Sequence, residues 1–195
     1  MKHLFTLAAA LILACSVNAQ ITVTTFDVGV IGDEFLSGYD TLVDPGMMVS
    51  AAGASQTWNH TMFNFHYYDT TSFVDPSTQP NSNYFPAANL VVLNSVQGSF
   101  VNSNANAITL TGVSLDLFGI DNIPAGLKDD VDLFRFPLDY QTMWLDTGRI
   151  DTTFEDTFTP LGDSLRGKRV QFVDAMVDSW GTLTTVNGTY DVLRL

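Results

Sequence analysis

Cysteine is all but missing from this chain, and its one occurrence, Cys15, falls within an N-terminal leader. Without that leader no thiol remains, which excludes disulfide staples, thiolate metal sites and cysteine nucleophiles. Basic residues are scarce as well: eight Lys and Arg stand against 21 Asp and Glu, and none occurs between Gln20 and Leu127. A surface of that sign repels phosphate backbones and anionic headgroups, so neither nucleic acid nor a membrane surface is expected as a partner. Long apolar runs are also lacking. The stretch from Leu4 to Ala14 is too short for a membrane-crossing helix of roughly 20 residues, and nothing later approaches that length. The helix formers Lys, Glu and Arg are few, so helices are not expected to build the fold. Catalytic signatures are missing too: the chain contains no G-x-S-x-G elbow, Walker loop, dinucleotide fingerprint or H-E-x-x-H pair.

What is present begins with the leader. In MKHLFTLAAALILACSVNAQ, Lys2 supplies a positive end, Leu4 to Ala14 an apolar stretch, and Val17-Asn18-Ala19 a small-residue cleavage site. This reads as a secretory signal peptide over residues 1–19, cut between Ala19 and Gln20. A second reading stays open. Ile12-Leu13-Ala14-Cys15 resembles a bacterial lipobox, in which Cys15 would carry lipid, although Leu13 stands where that motif usually has a small residue. Either route exports the chain, as a secreted or cell-surface protein in the first case and as a periplasmic or outer-membrane lipoprotein in the second.

The remainder, residues 20–195, reads as a single β-rich domain. Short runs rich in Val, Ile, Thr, Phe and Tyr recur between Gly, Pro, Asn and Asp. The strands expected are Ile21 to Val28, Glu34 to Leu42, Thr57 to Tyr68, Leu90 to Val96, Ala107 to Leu117, Leu133 to Pro137, Thr152 to Phe158, Arg169 to Val177, and a closing pair. That pair, TLTTVNGTYDVLRL, predicts a hairpin with Asn187-Gly188 as the two central residues of a type I′ turn. The fold class expected is all-β, an antiparallel sandwich or a strongly curved partial barrel. Leu193, Arg194 and Leu195 still alternate when the chain stops, so a continuation beyond Leu195 is expected.

The densest stretch is WNHTMFNFHYYDTTSF, residues 58 to 73, which holds His60 and His66, the only histidines outside the leader. On one continuous strand they would lie roughly 20 Å apart, too far to share a metal whose bonds to imidazole are about 2.1 Å. A turn at Thr61 to Asn64 would instead place them opposite each other. Trp58, Phe63, Phe65 and Tyr67 read as buried core, because aromatics at every second position mark an inward face. The competing reading makes Trp58, Trp144 and Trp180 a stacking platform for a sugar. Asp146, Asp151, Glu155 and Asp156 form the one candidate calcium cluster, expected in a loop; no other cofactor is expected. Repeated Asp-Thr pairs such as Asp40-Thr41 and Asp69-Thr70 are explained by side-chain bonds to nearby backbone at turns.

Several segments together resemble the N-terminal domain of exported Bacteroidetes proteins, many of which end in a type IX secretion sorting domain. They are ITVTTFDVGVIGDEF, GASQTWN, YYDTTSFVDPSTQPNSNYFPAANL, FRFPLDY and WGTLTTVNGTYDVLRL. Asn59-His60 stands where that group tends to have Asp-Phe, so the resemblance implies that His60 replaces a packing aromatic. Members of that group continue past the closing hairpin, so the resemblance implies either a sorting domain beyond Leu195 or another route out of the cell, and it brings no catalytic signature. The function expected is therefore an exported, non-catalytic module with a structural, adhesion or binding role toward an extracellular partner. A carbohydrate-binding or carbohydrate-processing module is the alternative.

Overall fold

The computed structural model describes residues 21–41, 51–95, 97–117, 120–155 and 164–195. Eleven strands account for most of them: β1 Glu34–Tyr39, β2 Gly53–His60, β3 Tyr67–Val74, β4 Leu90–Leu93, β5 Gln97–Ser103, β6 Ala107–Leu117, β7 Ile120–Arg135, β8 Met143–Glu155, β9 Ser164–Met176, β10 Ser179–Thr185 and β11 Gly188–Arg194. Three single 3-10 turns are the only helical pieces among the described residues. The strands form an eight-stranded antiparallel sheet in the order β1-β3-β4-β5-β6-β7-β8-β9, and a three-stranded sheet in the order β11-β10-β2. Neither closes on itself. The expected all-β architecture is thus an open, sandwich-like arrangement of two sheets and not a barrel. One pair departs from the antiparallel rule, since β2 runs parallel to β10.

The large sheet buries both faces at its centre, and the registers show how. Leu90 stands opposite Val101, and Val101 opposite Leu110. These three belong to the main core with Val113, Val131 and Trp144. The adjacent positions Val91 and Phe100 pair across the same strands. Because successive side chains alternate, they emerge on the other face. There they meet Phe85, whose ring lies 4.2 Å from that of Phe100, in a second cluster. A strand buried on both faces has no polar side to present, which is why β4 reads as the unbroken apolar run Leu90-Val91-Val92-Leu93.

Three expectations fail, each for a local reason. Ile21 to Val28 is not a strand: Asp27 accepts bonds from the backbone N–H and hydroxyl of Thr24, each at 2.8 Å, and turns Thr25–Asp27 into a 3-10 turn. Only Val23 keeps a bridge, to Leu138. Thr57 to Tyr68 is not one strand, because Asn59 Oδ1 accepts from both the N–H and the hydroxyl of Thr61 and bends the chain after His60. In the closing hairpin Thr185 pairs with Gly188, so the two loop residues are Val186 and Asn187. Gly188 alone carries the positive φ, at 146°, and the type I′ assignment to Asn187-Gly188 is therefore wrong. Of the strand expected over Leu133 to Pro137, Leu133 to Arg135 are the end of the much longer β7, and Phe136 and Pro137 lie beyond it, while the polar residues Gln97, Ser99, Asn102 and Ser103 give β5 the look of a loop.

Candidate functional site

The bend at Thr61 and Met62 is what creates a site. It sends β2 into the small sheet and β3 into the large one, with Phe63 to His66 as the link between them. Along this link the rings form a series. His60 stacks on Phe63 at 4.9 Å, Phe63 lies 6.0 Å from Phe65, and Phe65 6.2 Å from Tyr68. Beside them Tyr39 and Tyr67 pair across β1 and β3 at 5.8 Å.

On the small sheet, Leu183 of β10 faces Trp58 of β2, and Thr185 faces His60. Val192 of β11 lies opposite Gly181, two residues before Leu183 on the same side of β10. Trp58, His60, Phe63, Leu183, Val192 and Arg194 thereby line an open groove of about 420 Å³. Its lining is predominantly apolar and aromatic. At one end Arg194 donates two bonds to Asp178, at 2.7 and 2.8 Å, and this guanidinium holds the Asp178 carboxyl below the usual carboxylate range. The same residues secure the sheet, since Asp178 N–H donates to the Arg194 carbonyl and Gly53 N–H to the Asp178 carbonyl.

The structure does not treat the three tryptophans alike. Trp144 is 4% exposed in the main core, its indole N–H donating to the carbonyl of Asp132 at 3.2 Å. Trp180 and Leu183 are three residues apart on β10, so Trp180 emerges on the opposite face from the Leu183–Trp58 pair. It borders a separate, more polar hollow with Thr57, Thr182 and Asp191. A platform made of all three is therefore ruled out, and of the three only Trp58 lines the aromatic groove.

The core reading of the aromatic stretch also requires correction. Trp58, Phe63 and Phe65 are only partly buried, and Tyr67 is 52% exposed. The alternation at 63, 65 and 67 is not a strand face, because β3 begins only at Tyr67. The histidines part company: His60 stacks in the groove, while His66 sits at the edge of the large sheet. There its Nδ1 lies 3.6 Å from Asp40, and its backbone N–H donates to Tyr39.

The calcium cluster does not assemble as expected. Asp146 and Asp151 lie on β8, not in a loop. Five residues apart, they emerge on opposite faces and are separated by roughly 17 Å. Asp146 accepts the N–H groups of Asp132 and Thr147, each at 2.8 Å, and Asp151 takes two bonds from Arg166 at 2.6 Å. Glu155 closes β8, and Asp156 lies outside the described residues, as do Cys15, Ala19 and Gln20. Among the described residues no three His, Cys, Asp or Glu side chains gather as metal ligands, and no helix is long and apolar enough to cross a membrane.

Leu183, Val192 and Arg194 were not singled out from the sequence. Their signal was there, since strict alternation in the closing hairpin puts Leu183 and Val192 on one side. The parallel pairing that brings Trp58 beside them leaves no trace in local pattern. No protein-family model, curated protein or solved structure matches this chain.

Proposed function

We propose that the protein is an exported, non-catalytic β-rich module that works by binding an extracellular partner through the groove on its small sheet. One observation carries this reading: a continuous series of partly exposed rings, from His60 through Phe63 and Phe65 to Tyr68, opens into an apolar groove. Rigid aromatic side chains lose little conformational freedom on binding and supply large contact areas, which is why such rings anchor recognition surfaces. Export is supported by the leader and by the resemblance to the N-terminal domains of exported Bacteroidetes proteins. The low share of basic residues is in keeping with a partner other than nucleic acid.

The lining favours an apolar or aromatic side chain of a protein partner. A glycan-binding role is the second reading, favoured by Trp58, whose indole could stack on a sugar ring. Sugar sites also need carboxylates or amides around the stacking ring, and the groove offers only His60 and the Arg194–Asp178 pair. A binding screen with the mature chain against extracellular-protein peptides and a glycan array separates the two. Peptide binding lost in Trp58→Ala or Phe63→Ala supports the first reading. Glycan binding lost in Trp58→Ala replaces it with the second, and binding that neither substitution weakens refutes both.

A further inference from the structure

Among the described residues, a group of exposed apolar side chains lies away from this groove, on the outer side of β8 and β9. Phe172 is 76% exposed, Leu145 71% and Met143 69%, with Val170 and Met176 beside them. The register explains the grouping: Met143 pairs with Met176, Leu145 with Asp174, Thr147 with Phe172 and Arg149 with Val170. All of these side chains share one face. β9 is also the last strand of the large sheet, and no strand among the described residues pairs with its outer edge. At thirteen residues it is longer than the other edge strands, β1, β2 and β11. A long edge with an apolar face and no proline is a template for another strand.

The charges on this edge say which strand. Reading only the outward residues, β9 runs Arg166, Lys168, Val170, Phe172, Asp174, Met176, basic in its first half and acidic near its end. Laid antiparallel on a second copy of itself about a two-fold axis at Gln171, it sets Lys168 opposite Asp174 and Val170 opposite Phe172. Each pair occurs twice by symmetry. Moving the axis to Val170 sets Lys168 against Phe172, and moving it to Phe172 sets Val170 against Asp174. The register centred on Gln171 matches both pairs flanking the axis, charge with charge and apolar with apolar, and leaves Arg166 opposite Met176 further out. The one centred on Val170 keeps Arg166 opposite Asp174 but buries Lys168 against Phe172 on both sides of the axis, so the Gln171 register is favoured by the cross-strand pairs that stabilise antiparallel strands.

We propose that β9 pairs with the β9 of a second copy in this register, joining two large sheets into one continuous sheet across a two-fold axis. The apolar face formed by Met143, Leu145, Val170, Phe172 and Met176 then continues from one copy to the other. Lys168 sits beside Asp151 across β8 in its own chain and meets Asp174 of the other copy.

Sedimentation equilibrium on the mature chain tests this. The unaltered protein is expected to show a concentration-dependent dimer that weakens with added salt. Lys168→Asp puts carboxylates opposite each other at both ends of the pairing, and Asp174→Lys puts ammonium groups there. Each variant alone is expected to dimerise at least about tenfold more weakly. Mixed together they are complementary, because at positions 168 and 174 every carboxylate of one chain then faces an ammonium group of the other, and the mixture is expected to regain dimer. That recovery also shows that both variants fold. A wild-type chain that stays monomeric overturns the proposal. So do single variants that dimerise like wild type, or a mixture that stays monomeric, results that would point to a different partner strand or a different surface.

Discussion

The imidazole of His60 lies flat on the ring of Phe63, with centroids 4.9 Å apart and planes 6° from parallel. Its Nδ1 is buried and meets no hydrogen-bond partner among the described residues. A ring used for its face, with one nitrogen left unpaired, performs the task of a phenyl group less well than a phenyl group would. His60→Phe keeps the stack and removes the unpaired atom, so it should raise stability in urea denaturation by about 1 kcal/mol. His60→Ala loses the stack and should lower stability by about 1 kcal/mol or more. A clear loss in the phenylalanine variant would show that the nitrogen is used.

Gly181 of β10 stands directly opposite Gln56 of the parallel strand β2. A Cβ there would collide with the carbonyl of Gln56 and come within 2.6 Å of its backbone N and C. Backbone atoms cannot rotate aside as a side chain can. Gly181→Ala is therefore expected to cost about 2 to 4 kcal/mol, to open the β2–β10 pairing and to deform the aromatic groove. Gly167→Ala on β9 is the control, since its nearest neighbour would be Thr152 Cγ2 at 3.8 Å. Denaturation midpoints of the two variants should differ widely, and equal midpoints would contradict the packing described.

The strand content was legible because period-two patterns report which face is buried wherever one face is buried. β6, Ala107–Leu117, matched its expected limits for that reason. β5 was missed because it lies in the middle of a sheet covered on both faces, with Phe100 and Val101 buried in opposite directions and polar residues around them. The candidate site was half legible. Trp58, His60 and Phe63 stood out by composition, but their role depended on where the chain bends and on a parallel pairing between residues far apart in sequence. That pairing brings Leu183 beside Trp58, and no local periodicity encodes it.

Acid should destabilise the fold. Asp178 is held low chiefly by its bonds from Arg194, Asp151 by those from Arg166, Asp75 by Ser77 and Asp27 by Thr24. A carboxylate whose folded pKa lies below its unfolded value of about 3.9 contributes stability that is present above that value and is lost as pH falls through the folded pKa. Asp130 works the other way: burial raises its pKa, so its ionisation opposes folding as pH rises. Four lowered groups against one raised group give a net loss on acidification. Melting temperature is expected to hold near neutral pH and to fall below about pH 4. Arg194→Gln should shrink that fall by removing the main cause of the Asp178 depression, and a melting temperature that rises on acidification would refute the sign.

The tryptophans offer the sharpest separation of packing from recognition. Trp144 fills the main core and satisfies its indole N–H on the Asp132 carbonyl. Truncation there leaves a cavity in the main core, so Trp144→Ala should cost about 3 to 5 kcal/mol, while Trp144→Phe, which keeps most of the volume, should cost less. Trp58 borders an open groove that water can fill, and Trp58→Ala should cost no more than about 1.5 kcal/mol. Intrinsic fluorescence follows the same division. A quencher added to the native protein should reach Trp58 well before Trp144, and Trp58→Phe should remove most of the readily quenched signal apart from that of Trp180. If Trp58→Ala proved as damaging to stability as Trp144→Ala, the groove would be part of the core, and its proposed role in binding would lose its physical basis.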